Sequence, residues 1–291
     1  MARLSALMLL FILSALPGTT APVESPGGPP NICSYPISQT VRIPVAIRRA
    51  GDADQGGDTD AALLWVTSGA KDELPEGPSS FDVLEDGSFV IADPLRDRLA
   101  IFDSNAKFLQ EWKLGFAADS VSITANELIL VEEASTGTLH VLDRSGRLQP
   151  DAYTVLPQRG EASVLTPKNG IVARKGRDGQ NRAPIEVRFD RPGQALLSLE
   201  SLATDAAGNS FIALESTVEG KASPDVNVDK VVRRYDSEGL LVGETSTLPL
   251  DYFVTPVDEL RVHRGSVYQL QTTKSEVRIN IWKTNEGCPH P

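Results

Sequence analysis

Residues 75–114 read PEGPSSFDVLEDGSFVIADPLRDRLAIFDSNAKFLQEWKL. Runs of aromatic, β-branched and aliphatic residues alternate here with short clusters of Asp, Asn, Gly and Ser. That pattern predicts four strands, Ser80 to Leu84, Ser88 to Ala92, Arg98 to Phe102 and Phe108 to Leu114. The turns between them carry their own chemistry. Asp86-Gly87 heads the second strand, and Asp103 closes the third, where its carboxylate can bond the backbone that follows.

The same unit recurs along the chain. Ile101-Phe102-Asp103 is echoed by Val141-Leu142-Asp143, Arg188-Phe189-Asp190 and Arg234-Tyr235-Asp236, at spacings of 40, 47 and 46 residues. Gly146, Gly193 and Gly239 stand three residues beyond the last three Asp residues, so each Asp-x-x-Gly is expected to turn a third strand into a fourth. Asn126, Asn169-Gly170, Gly208-Asn209 and Gly265 head runs like that after Asp86-Gly87, making five copies. No long helical period follows the N-terminal segment. Repeats of 40 to 50 residues with about four strands each predict an all-β chain folded as a β-propeller.

The fifth copy, Asp258 to Lys283, holds only three strands, while an early strand, Val41 to Arg48, has no copy of its own. The expectation is five blades, with the N-terminal strand pairing with Val277 to Lys283 to complete the last one and cover an open edge. Six blades, the extra one built partly from Ala61 to Ser68, is the alternative. Cys33 and Cys288 would sit beside the missing hairpin turn of that last blade. A disulfide between them would tie almost the whole chain into a loop.

Pro75-Glu76-Gly77-Pro78, Phe81-Asp82-Val83, Asp86-Gly87, Val90-Ile91-Ala92-Asp93 and Arg98 to Asp103 together resemble an NHL-type repeat. The likeness extends in part over Ser201 to Gly239. It implies a propeller acting as a non-catalytic platform for a protein or small ligand, with no cofactor. Glu76-Gly77-Pro78 also resembles the start of the senescence marker protein 30 and gluconolactonase group. This second resemblance implies an alternative, a calcium-dependent lactonase or hydrolase with Glu76 as a metal ligand in the channel, joined loosely by Asn169 and Asn209.

Composition narrows the classes further. Of 291 residues, 41% are hydrophobic and 23% charged, and the net charge is −11, so extended disorder and a phosphate-backbone binder are both excluded. Met1 to Ala21 has the layout of a secretory signal, with Arg3, an apolar run from Leu4 to Leu16 and small residues before Pro22. The expected organisation is a signal over 1–21, a Pro/Gly-rich linker over 22–40, the propeller over 41–288 and a tail over 289–291. The mature protein is expected in the periplasm or outside the cell, without an integral membrane segment.

Two longer insertions, Ala173 to Ala183 and Thr217 to Asp229, fall between second and third strands and would stand side by side on one rim of the channel. Arg174, Lys175, Arg177 and Arg182 make the first basic; the second carries Asp225 and Asp229. This rim is the sequence-derived candidate for ligand binding. The acidic run Asp52 to Asp60 fails as an EF-hand, since Leu63 stands where the bidentate Glu belongs. No nucleophile elbow, His-Glu-x-x-His pair or phosphate loop occurs, and His140, His263 and His290 read as structural or surface residues.

Overall fold

The computed structural model describes residues 32–48, 61–69, 73–149, 164–165, 169–175, 181–218 and 228–286. The expected four-strand unit is present as β4 (Phe81–Val83), β5 (Phe89–Asp93), β6 (Arg98–Phe102) and β7 (Phe108–Lys113), an antiparallel meander. Both central strands are buried at every position. Because alternate side chains leave a strand on opposite faces, a sheet covered on both sides reads as a continuous apolar run. Phe89, Ile91, Ala100 and Phe102 enter one core; Val90, Ala92, Leu99 and Ile101 enter another.

Those two cores join this sheet to its neighbours. On one side it packs on β8 (Ala118–Ile123), β9 (Ile129–Glu133) and β10 (Leu139–Leu142), through Val121, Ile129, Val131 and Leu142. On the other it meets Val277, Ile279 and Leu270 of the last sheet, formed by β18 (Leu260–His263), β19 (Ser266–Thr272) and β20 (Glu276–Trp282). Between these lie two more sheets. One is β11 (Val164–Leu165), β12 (Asn169–Lys175) and β13 (Asn181–Arg188); the other is β14 (Gln194–Thr204), β15 (Ser210–Val218), β16 (Val228–Tyr235) and β17 (Leu241–Thr245). The first sheet shares cores with the second and the last, and the fourth with the third and the last; this succession of meanders returning on itself is a β-propeller.

Closure follows the expected route. β2 (Gln39–Arg48) runs antiparallel to β20, with Val41 opposite Ile279 and Ile43 opposite Val277. At Pro44, which has no N–H to donate, β2 leaves β20; from Val45 it pairs in parallel with β3 (Leu64–Thr67). The stretch 61–68 therefore adds an outermost strand to the last sheet and starts no sheet of its own.

Two features depart from expectation. The segment around Cys33 does not fill the turn of the last sheet. It forms β1 (Cys33–Tyr35), parallel to β17 of the fourth sheet, with Tyr35 ring atoms lying where a Cβ on Gly243 would stand. Cys33–Tyr35 and the start of β2 at Gln39 thus lie in strands, within the stretch 22–40 that reads as a linker. The turn Asp190 to Gly193 also does not send the chain back along β13. It leads into β14, which pairs with β15 from Gln194↔Val218 to Thr204↔Ser210. The physical reason is the length of β15, whose extra backbone groups need partners that β14 supplies. Asp103, Asp143 and Asp236 do form the expected turns, each accepting the N–H groups two and four residues ahead.

Candidate functional site

A cavity of about 340 Å³ opens where four innermost strands, β4, β8, β14 and β18, end together. All four contribute their C-terminal ends, the end at which a first strand turns into a second. The two insertions singled out from sequence turn second strands into third ones. The described strand ends that flank them, at Lys175, Asn181, Val218 and Val228, consequently stand at the opposite end of their sheets from the turns that join first strands to second ones.

The floor of the cavity is an internal ion cluster. Arg261 Nη2 donates to Asp258 Oδ2 at 3.0 Å and to the Val121 carbonyl at 2.9 Å, while Nε lies 3.6 Å from Asp82 Oδ2. Asp82 is fixed from two sheets, accepting the N–H of Val83 and of Ile123, each at 2.7 Å. Ser80 pairs with Asp258 in a lone parallel bridge, so first, second and last sheets meet at this point. Burial pushes the Asp82 carboxyl above the usual carboxylate range, against the pull of Arg261 and the two N–H donors. Burial works against the Arg261 charge too, but Asp82 and Asp258 outweigh it and hold the guanidinium above its ordinary value.

Nearer the mouth stand Glu85, Glu127, Glu200 and His263. Glu85 meets Arg264 and Glu127 meets Arg144, both arginines outside the lining. His263 Nε2 is buried and has no hydrogen-bond partner among the described residues. Burial lowers its pKa, so the imidazole is neutral at pH 7. Val83, Leu260 and Val262 supply apolar wall between the polar groups.

The structure distributes the sequence-derived candidates elsewhere. Arg174 and Lys175 end β12, and Arg182 is the second residue of β13, with Arg174 and Arg182 opposite in register. Arg177 and Asp225 lie outside the described residues, as does Cys288. Asp229 is on β16, where its carboxylate accepts from Gln194 Nε2 at 3.0 Å. His140 is stacked on Phe116 and 3.2 Å from Glu133, as suits a structural residue.

Glu76 is exposed, and its backbone pairs with Thr67 on the outermost strand β3, away from the cavity lining. Among the described residues no three His, Cys, Asp or Glu side chains converge as metal ligands, and Asp82 and Asp258 turn on Arg261 instead. The described residues therefore do not fit the calcium site that the gluconolactonase resemblance implies.

Sequence reasoning missed Arg261, Asp82 and Asp258. Asp82 and Arg261 leave one linear signal, a charge inside apolar strands, in Phe81-Asp82-Val83 and Leu260-Arg261-Val262; Asp258, just ahead of β18, leaves none.

No family model matches the chain, and no curated protein matches it. Among solved structures it is similar to a streptogramin B lyase, at 13% identity and a TM-score of 0.26, over 70% of this chain and 65% of that one. It is also similar to the calcium-binding protein regucalcin of Agrobacterium tumefaciens strain C58, at 11% identity and a TM-score of 0.32, over 86% of this chain and 96% of that one. A third is BBS1N in complex with ARL6DN, at 14% identity and a TM-score of 0.28, over 73% and 66%. The chain thus spans less than two thirds of the lyase.

Proposed function

We propose that this protein is an exported, five-bladed, NHL-like propeller that binds a small ligand or a partner's side chain without catalysis. The carrying observation is the cavity at the ends of β4, β8, β14 and β18, where polar groups from four sheets converge on rigid strands. Its central acid and base, Asp82 and Arg261, are engaged with each other and with backbone groups, an arrangement that shapes a site and leaves neither group poised to move a proton.

Export also calls for a Cys33–Cys288 disulfide. No free cysteine occurs among the described residues, and Thr284, four residues before Cys288, is tied to the sheet that holds Cys33. Thr284 O accepts from Arg234, the residue opposite Gly243, and Gly243 is in turn opposite Cys33.

A panel of polar fragments observed by NMR tests the reading. Fragments that bind the whole protein should be released by Ser201→Trp, which fills the cavity, with the thermal transition preserved, and should be recovered chemically unchanged. Hits that bind Ser201→Trp equally well would place binding elsewhere; turnover of a bound fragment would overturn the non-catalytic part.

A further inference from the structure

We draw no further inference here: the strongest candidate, the cavity at the ends of β4, β8, β14 and β18, belongs to the site already described, and its charged side chains are already engaged by protein partners, so its lining singles out no class of ligand.

Discussion

Glu127 takes up a backbone conformation that its counterparts leave to glycine. The turns from first to second strand place Gly87 at φ 86° and Gly208 at φ 85°, each N–H bonded to the carbonyl three residues back. Glu127 makes the same bond to Thr124 at φ 61°, a region in which a side chain costs about 1 kcal/mol. Strain of this kind often accompanies function, and Glu127 lies at the mouth of the cavity. Glu127→Gly is therefore expected to raise stability by about 0.5 to 1 kcal/mol in urea denaturation. Lower stability would show that the Arg144 contact outweighs the backbone term. At this scale the turn was legible in Asn126, as Asp-Gly was at 86–87, but Glu127's place beside Glu85 and Glu200 was not. Those three carboxylates come from different sheets, and no spacing in a single chain records which sheets face one another.

At the scale of elements, charge also locks the fourth sheet to the fifth. Lys230 of β16 donates to Glu215 of β15 at 2.8 Å and to Glu259, just ahead of β18. Tyr252 bonds the same Glu259, and Gln269 of β19 donates to Tyr252 Oη at 2.7 Å and to the Pro249 carbonyl at 2.8 Å. Burial opposes the charge on both Glu215 and Lys230. Their mutual contact prevails, lowering the Glu215 carboxyl below 4.5, while Glu259 and Glu215 raise the Lys230 ammonium above 10.5. The signs set the pH window. A lowered carboxylate gives stability that is present above its unfolded pKa and lost as pH falls through the folded one; a raised ammonium gives stability that is present below 10.5 and lost as pH rises past its folded value. Urea midpoints should accordingly fall below about pH 4.5 and again above about pH 10.5. Lys230→Met should cost about 2 to 3 kcal/mol at pH 7, less than a fully buried pair because Glu215 is 34% exposed, and should flatten the alkaline limb. An unchanged alkaline limb would mean that Lys230 does not carry the lock.

For the whole molecule, the N-terminal segment serves as a strap. β1 extends the fourth sheet, β2 supplies the fourth strand of the last, and β3 covers it, so the ring is held by residues far apart in the chain. The proposed disulfide would fasten this strap to the chain's end and contribute up to roughly 5 kcal/mol by limiting the unfolded chain. Peptide mapping without reductant should recover Cys33 and Cys288 as one linked pair, and reduction should lower the thermal midpoint. Two free thiols would remove the covalent part of the closure, leaving the β2–β20 pairing to act alone.

Local chemistry sufficed for much of this. The four strands of residues 80–114 follow from apolar runs and turn residues, and the β2–β20 closure from an incomplete last copy with a spare early strand. Strands, Asx turns and repeat spacing depend on neighbours along the chain, and those are written in it. The attachment of β1 to β17, the course of β14 along β15 and the cavity around Arg261 depend on which sheets meet and how far each strand extends. Packing in three dimensions decides those matters, because a backbone group or a buried charge takes whatever partner the assembled ring brings within reach.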